Sequence, residues 1–326
     1  MARPILIAPS IPEHELLTRK GEVITAIRQD EDNPAVRASE SAIALLYPDG
    51  HPYGRRTKGT VDIVEAITRD QLLALHGERF APSELTAVVV GDVEVGRARD
   101  TVQRVFGSWH QPAPEPIAIP APPFARRRQR LVVPMMNKAQ ADIAYGFVTI
   151  TRADPDYYAF WLMNNVFGQY AIGGRLGDSI RERQGMAYYV SSSLDANIAP
   201  GPLVVRAGVS PANVDRAVAS IDEEVARIVQ DGVTPRELDE SRRYLIGSIP
   251  RALETNAAIA NFLQVGEFYG LGLDYDARLP GLLEAVSLDA VHAAARRAMD
   301  PERAAVVIAG PYADAGRIDE FGNRVI

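Results

Sequence analysis

The feature that most constrains the fold of this chain is an internal repeat. Two stretches follow the same order of residues, and three of their matched segments are separated by the same 219 positions. These pairs are 66–70 with 285–289, Pro82 with Pro301, and 88–91 with 307–310. A fourth pair, Glu15-Leu16 with Glu237-Leu238, is separated by 222 positions, so it aligns with the others when a gap of three residues is allowed. A repeat of this length indicates that one structural unit occurs twice, so we expect two related domains.

The two copies are unequal in length. About 107 residues, 126–232, precede the helix that opens near Glu237, whereas about ten precede its counterpart near Glu15. Half a domain leaves its helices partly unburied and its sheet incomplete. We therefore expect residues 126–326 to form a complete second domain and residues 1–110 to form only the C-terminal part of a first one. Either Met1 is an internal methionine of a longer chain, which we favour, or a partner completes the sheet.

A proline-rich stretch separates the two copies. Residues 111–125 begin with QPAPEPIAIPAPP, which has little periodicity. Such a composition favours extended polyproline conformation and suits a semi-rigid linker. We place the domain boundary there.

The hydrophobic pattern predicts an α+β fold. Before the linker it is mostly helical, with one clear strand at Leu85–Val90. After it, helices and strands follow each other without strict βαβ alternation. The predicted strands are 143–150, 188–193 and 203–209. The predicted helices lie near 155–168, 173–183 and 211–230, and a further one starts at the capping box Thr234–Glu237.

Charge and composition exclude several classes of function. The net charge is −7 and the pI is about 5.4, which argues against nucleic-acid binding. The one basic run, Arg126–Arg128 with Arg130, is expected to be a solvated linker edge. Cysteine is absent, which excludes disulfides and thiolate metal sites. No apolar run is long enough to predict a membrane span, and the first residues do not predict an export signal.

Three segments resemble the insulinase-like zinc peptidases, the family of pitrilysin and the mitochondrial processing peptidase. They match its D-x-P, H-P-[LY]-G-R and G-T motifs, the strand that ends its first domain, and its R-E-x-x-G-L-A-Y motif. The matching segments are Asp32–Pro34 with His51–Arg55 and Gly59-Thr60, then Pro82–Asp92, then Gly174–Tyr188. The resemblance implies duplicated α+β domains, each with a mixed or antiparallel sheet and helices packed on one side.

The resemblance also implies chemistry that this chain lacks. The family binds zinc through an H-x-x-E-H motif on a helix, and no two histidines here are three or four residues apart. The five are His14, His51, His76, His110 and His292, and His51 is interpreted as structural. The third ligand of the family is a glutamate, and its position corresponds to Ala26 or Ile27. Glu22 and Glu31 are the alternatives for a shifted ligand. We therefore expect no zinc and no catalytic residue in this chain, with zinc only in a partner or in a segment upstream of Met1.

Two residues match a pair that contacts the substrate in family members. The resemblance implies that Arg181 and Tyr188 bind substrate, and we expect them to lie near each other on the interdomain side. A guanidinium and a phenol can both donate hydrogen bonds to a peptide carbonyl. The structural alternative is that Arg181 is a helix-end charge and that Tyr188 is a half-buried strand residue.

Three functions are compatible with these observations. The first is a proteolysis-associated subunit or fragment that binds a peptide or protein substrate for a zinc-bearing homologous partner, as a heterodimer or other dimer, or for a missing N-terminal half. The alternative is a structural or interaction subunit that shares the fold and cleaves nothing. A fragment of a self-sufficient peptidase is disfavoured by Ala26 and Ile27.

Overall fold

The structure is a computed structural model and describes residues 6–122, 125, 127–170 and 173–313. By compactness the chain divides into two units, neither of which is one continuous stretch. Unit 1 contains residues 1–28, 57–118 and 247–278; unit 2 contains residues 29–56, 119–246 and 279–326. One of the crossings between the units, after Ala118, lies within the predicted linker.

The helices and strands are numbered here in chain order. The α-helices are α1 Glu13–Glu31, α2 Pro34–Leu46, α3 Val61–Ala66, α4 Arg69–Arg79, α5 Val95–Phe106, α6 Tyr157–Asn164, α7 Val214–Asp231, α8 Pro235–Ala252, α9 Asn256–Phe268, α10 Tyr275–Glu284 and α11 Leu288–Ala298. The strands are β1 Gln129–Pro134, β2 Ala141–Val148, β3 Ala187–Leu194, β4 Pro202–Val209 and β5 Ala305–Gly310. Two π-helical segments, Asn165–Gln169 and Gly177–Arg183, lie between α6 and β3.

Unit 2 is built on a five-stranded mixed sheet in the order β1-β5-β2-β4-β3. β1 and β5 are parallel, and the other neighbours are antiparallel. One row across the sheet runs through Val132, Ile308, Ile143, Ala207 and Val190. The predicted α+β class with a mixed sheet is thereby confirmed.

Helix α2 covers one face of this sheet. Its Ala38 and Ala42 pack with Ala144, Val204 and Val307 in one buried cluster. Small side chains let the helix approach the strands closely, and apolar burial stabilises the contact. The sheet therefore has helices on both faces, with α2 on one and α7 on the other. The sequence predicted helices on one side only.

The start of α2 follows from its local sequence. The Asn33 side chain accepts hydrogen bonds from the backbone N–H groups of Ala35 and Val36, at 3.0 and 3.4 Å, and Pro34 occupies the first helical turn. Asparagine at the N-cap and proline at the first position are the preferred choices there. Asp32 pairs with Lys138 at 2.7 Å. The D-x-P segment is therefore a helix start anchored to unit 2.

Helix α7 lies on the opposite face of the sheet. Its apolar residues Val214, Ile221, Val225 and Ile228 are buried. Asp222 accepts hydrogen bonds from Tyr145 of β2 at 2.8 Å and from both terminal nitrogens of Arg128. Burial, followed by the charge of Asp222, raises the pKa of the Tyr145 phenol. Arg130 donates to the Tyr312 hydroxyl at 2.8 Å. The basic run is therefore not a solvated edge at Arg128 and Arg130, because the strand that starts at Gln129 brings both side chains to partners, partly buried Asp222 and buried Tyr312. Arg126 lies outside the described residues.

Most predicted elements of the second half are confirmed. Strands β2, β3 and β4 and helix α7 lie within two residues of their predicted bounds, apart from the first turn before α7, which is a 3₁₀ helix at Pro211–Asn213. Helix α8 begins at Pro235, within the predicted capping box. The helices predicted near 155–168 and 173–183 continue as π-helix over part of their length. Strand β1 was not predicted.

Unit 1 is helical in its described residues, and the strand predicted at Leu85–Val90 is wrong as a paired element. Leu85 has an extended backbone, but the segment pairs with no described strand. A β-strand needs a neighbour to satisfy its backbone groups, and propensity alone does not supply one.

The repeat predicted from sequence recurs element by element. The α2 and α9 ranges are both 13 residues long and 222 positions apart, and α4 and α11 are both 11 residues long and 219 positions apart. The 3₁₀ turns Pro82–Glu84 and Pro301–Arg303 also match. The copies differ at the next element, where β5 is paired and Leu85–Val90 is not.

An ion pair ties the predicted capping box to Arg175, two residues before the second π-helical segment. Glu237 accepts hydrogen bonds from Thr234 and, through both carboxylate oxygens, from Arg175 at 2.7 and 2.8 Å. Burial alone would raise the pKa of the Glu237 carboxyl, but the hydrogen bonds from Arg175 and Thr234 outweigh it and lower the pKa to about 2. The carboxylate form is therefore the one that the fold stabilises.

Enlarging Ala42 tests the α2–sheet contact. Ala42→Leu should lower the free energy of unfolding by about 1–3 kcal/mol, because the buried site has no room for three more carbon atoms. The same change at exposed Ala44, on the same helix, should shift it by less than about 0.5 kcal/mol. Urea unfolding followed by circular dichroism measures both, and equal effects would contradict the proposed packing.

Removing the Glu237 charge tests the second contact. Because its pKa falls on folding, the stability it contributes is present above its ordinary pKa of 4.5 and is lost as pH falls from there toward 2. Glu237→Gln should cost about 2 kcal/mol near neutral pH and flatten the decline in melting temperature below about pH 5. Glu240→Gln, in the exposed pair with Arg236, is the matched control and should change neither.

Candidate functional site

The position expected to carry the third zinc ligand lies on α1. Ile27 is buried, with 2% of its surface exposed, and Ala26 is half-buried. Neither side chain has an atom that can coordinate a metal ion, so α1 supplies no zinc ligand at the position where the family has its glutamate. A buried isoleucine also shows that this helix face is packed rather than open to a metal.

The two glutamates considered as shifted ligands are engaged elsewhere. Glu22 accepts a hydrogen bond from Arg19 at 2.8 Å, and Glu31 pairs with Arg56 at 3.3 Å. In the described part of the chain, no group of three or more His, Asp or Glu side chains could hold a metal ion. The residues present do not fit the catalytic zinc that the resemblance would imply.

Three of the histidines form hydrogen bonds with backbone carbonyl oxygens. The Nε2 atoms of His51, His76 and His292 each lie 2.9 Å from such an oxygen. For His51 the roles of the two nitrogens are determined, because Nδ1 accepts from the Tyr53 N–H and Nε2 must therefore donate to Pro120. His51 is 4% exposed. Its structural interpretation agrees with these contacts.

Two residues of the H-P-Y-G-R segment, His51 and Tyr53, pack with Tyr47 in an aromatic cluster of unit 2. The rings of Tyr47, His51 and Tyr53 contact one another at centroid distances of 5.1–5.6 Å. The Tyr47 hydroxyl donates to the carbonyl of Pro200 at 3.0 Å, and burial raises the pKa of that phenol. Glycine is needed at position 54, because an added Cβ would collide with the Tyr47 carbonyl. The motif is therefore accounted for by packing.

Arg181 lies in the π-helical segment Gly177–Arg183. Its side chain is 43% exposed and lies 3.7 Å from Glu182, a loose surface pair. Two residues after the end of the segment, Gly185 has a φ of 61°, a conformation that glycine adopts readily. The N–H groups of Gly185 and Met186 donate to the carbonyls of Arg181 and Ile180 at 3.0 and 3.1 Å. Arg181 therefore sits on a defined turn with its guanidinium near solvent.

Tyr188 lies at an irregularity in β3. Ala187 pairs with Val209 and Tyr189 with Gly208, so the register shifts across Tyr188. An extra residue of this kind is a β-bulge, which turns a side chain out of the regular alternation. Tyr188 is 68% exposed. It is therefore not the half-buried strand residue of the structural alternative.

The residues around Tyr188 hold β3 in place. The Tyr189 hydroxyl donates to Asp142 of β2 at 2.5 Å, and burial raises the pKa of that phenol. The Ser192 hydroxyl donates to the Asn164 side chain at 2.7 Å. These contacts were not foreseen, since only the fold brings the partners together. They support a fixed strand from which Tyr188 projects.

Arg181 and Tyr188 therefore both reach the surface of unit 2, on either side of the Gln184–Met186 turn. β3 is the last strand in the sheet order, so it also offers an edge. An exposed guanidinium and phenol beside a strand edge can donate hydrogen bonds to an extended peptide. The expected orientation of the two side chains toward the interdomain side stays a prediction.

No helix in the described ranges is long and apolar enough to cross a membrane.

Known proteins resemble this chain along most of its length. An uncharacterized zinc protease of Streptomyces coelicolor is 26% identical over 318 residues, which are 95% of this chain and 68% of that protein. A Helicobacter pylori protein described as a non-peptidase homolog is 24% identical over 89% of this chain and 66% of its own length. The chain thus spans about two thirds of the length of these curated relatives.

A solved structure gives the same result for the fold. The crystal structure of a peptidase M16 inactive domain from Pseudomonas fluorescens superposes with a TM-score of 0.86 at 25% identity, covering 95% of this chain and 73% of that one. The family model for the peptidase M16 inactive domain matches residues 66–245. That match covers more than half of the chain and confirms the insulinase-like resemblance; the protein belongs to the peptidase M16 family.

Proposed function

We propose that this chain is a metal-free M16 subunit that binds peptide substrate for cleavage at a zinc site on a homologous polypeptide. The observation that carries the proposal is the exposure of Tyr188 at a bulge of a strand edge, with exposed Arg181 on the other side of the Gln184–Met186 turn in the sequence. A packing role would bury the phenol, whereas a binding role needs it at the surface.

The two side chains suit the role of positioning a peptide. Extended peptides bind sheet edges through backbone hydrogen bonds, and neighbouring side chains add specificity. The Tyr188 hydroxyl and the Arg181 guanidinium are donors that can reach a substrate carbonyl oxygen, where negative charge develops during peptide hydrolysis. Tyr189 and Ser192 are positioning residues, because they hold β3 through Asp142 and Asn164.

A second function is supported by a different observation. Ile27 packs where a zinc ligand is expected, and one relative is described as a non-peptidase homolog. A purely structural or interaction subunit would also lack the ligand. The two functions differ in what they require of Tyr188, because an interaction subunit would not need a phenol aimed at a substrate.

The metal-free proposal predicts that the purified chain carries substoichiometric zinc and cleaves no peptide. The reason is that Ala26 and Ile27 supply no ligand and that Glu22 and Glu31 are paired with arginines. Plasma emission spectrometry of the chain after zinc loading and desalting, with a fluorogenic peptide assay, measures both. One tightly bound zinc per chain would disprove it.

The substrate-binding proposal predicts that Tyr188→Phe weakens cleavage by the assembled enzyme. With a zinc-bearing M16 subunit from the same genome as partner, kcat/KM should fall by about 10²-fold, because one donor to the transition state is lost. Arg181→Lys should lower it as well, since lysine cannot donate two parallel hydrogen bonds.

Matched controls separate this role from folding. Tyr244→Phe removes a hydroxyl from another exposed tyrosine, and Arg183→Lys changes another exposed arginine of the same π-helical segment. Both should retain full activity. Unchanged activity in Tyr188→Phe, with the partner bound, would leave only the interaction role.

A further inference from the structure

Unit 2 contains a cavity of about 560 Å³ that takes no part in the proposed peptide binding. All of its described lining residues belong to unit 2, and neither Arg181 nor Tyr188 is among them. The cavity lies at the end of β2, between the C-terminal ends of α2 and α11. Sites that bind small molecules commonly have volumes of about 300–1,000 Å³, so this cavity has room for such a ligand.

The part of the lining that comes from α2 and β2 is apolar. Leu45 and Leu46 end α2, and Phe147 and Val148 end β2. Leu45, Leu46 and Val148 pack in one hydrophobic cluster, so this wall is continuous with the core and is held by it. An apolar ligand surface placed against the wall would be removed from water, which is favourable.

Four arginines belong to the described lining, and two of them are already paired. The guanidinium of Arg297 lies 2.7 Å from the carboxylate of Asp154 and 3.0 Å from that of Asp156. The guanidinium of Arg303 lies 3.2 Å from the carboxylate of Asp300. These two arginines therefore contribute no unpaired charge to the cavity.

The other two arginines, Arg296 and Arg127, are exposed and have no carboxylate partner among the described residues. Of the two acidic residues in the lining, Asp49 is likewise unpaired in the described part of the chain. The unpaired groups around the cavity therefore carry one net positive charge, although the whole chain has a net charge of −7. A ligand with a single negative charge would balance them.

The helix that carries Arg296 does not by itself account for this residue. A cation in the last turn of a helix is favoured by the helix dipole, but Arg297 already supplies one in α11. The equivalent positions of α4, which lie 219 residues earlier in the repeat, are Gly77 and Glu78. The repeated fold therefore does not require arginine at position 296, and its guanidinium is available to a ligand.

We propose that this cavity binds a monocarboxylic acid with an apolar body. The carboxylate accepts hydrogen bonds from Arg296, with Arg127 as a second donor, because a guanidinium can donate two parallel hydrogen bonds to a carboxylate. The apolar body lies against the wall formed by α2 and β2. A free fatty acid and the C-terminal carboxylate of a short apolar peptide are two sources of this chemistry.

Isothermal titration calorimetry on the full chain tests the proposal. The probes are decanoate and N-acetylated leucyl-phenylalanine, each compared with an uncharged counterpart, decanol and the peptide amide. At least one acid should bind with one molecule per chain and at least about 10-fold more tightly than its counterpart, because the charge-assisted hydrogen bonds are lost in the latter. The acid that binds more tightly identifies the source.

Acetate is the control for the apolar body, since it has the carboxylate alone. It should bind at least about 10-fold more weakly than the better acid, because it buries little apolar surface. Equal binding of acetate would reduce the cavity to a simple anion site and overturn the proposal. Equal binding of each acid and its uncharged counterpart would overturn it as well, and so would saturable binding of neither acid.

Two matched substitutions assign the charge to its residue. Arg296→Gln should weaken binding of the acid by at least about 10-fold and leave binding of its uncharged counterpart unchanged. Arg216→Gln, at an exposed arginine of α7 that does not line the cavity, should leave both unchanged. Both positions are exposed, so the melting temperatures of the two variants should match that of the wild type. Equal affinity for the acid in the two variants would contradict the proposal. These readouts involve neither zinc nor cleavage, so they are independent of the Tyr188 prediction.

Discussion

The sheet of unit 2 depends on being covered on both faces. Seven consecutive residues of β2, Ala141–Phe147, are buried, so neither side of that strand tolerates water. Apolar burial contributes about 25 cal/mol per Å², and leaving one face open would forfeit about half of that contribution. The cover on one side is α2, which precedes the proline-rich stretch in sequence. A helix that is distant in the chain is therefore part of the core that carries β3 and its edge.

Polar contacts set how the covering elements are oriented. Asp222 accepts hydrogen bonds from Tyr145 of β2 and from Arg128, the residue just before β1. Glu237 accepts hydrogen bonds from Arg175. Apolar packing by itself has little directional preference, whereas these bonds are satisfied in one arrangement only. Because such groups are expensive to leave unpaired, they favour a single position of α7 and α8. Through Arg175, the ion pair also joins α8 to the residues just before the π-helical segment that carries Arg181.

The parts of this protein that suit peptide binding and the parts expected to bind metal lie on different elements. The ligand position is on α1, whereas Arg181 and Tyr188 flank a turn before β3. Loss of the ligand therefore leaves the strand edge intact. The buried Ile27 also makes the change hard to reverse, since a carboxylate there would be buried without a partner or metal. The proposed function depends on this separation, because the strand edge with Tyr188 does not require a metal ligand on α1.

The sequence by itself determined the features that depend on neighbouring residues. The capping box at Thr234–Glu237 and the helix predicted near 211–230 follow from local pattern, because caps and helical periodicity are satisfied within a few residues. The α+β class, the repeat and the family follow from the order of such local segments along the chain. The tertiary structure decided the rest. Strand β1, the unpaired state of Leu85–Val90, the bulge that exposes Tyr188 and the packing of α2 on the sheet each depend on partners far away in the chain. A β-strand forms only where a neighbouring strand pairs with its backbone N–H and C=O groups. The local sequence does not specify which distant segment that neighbour is.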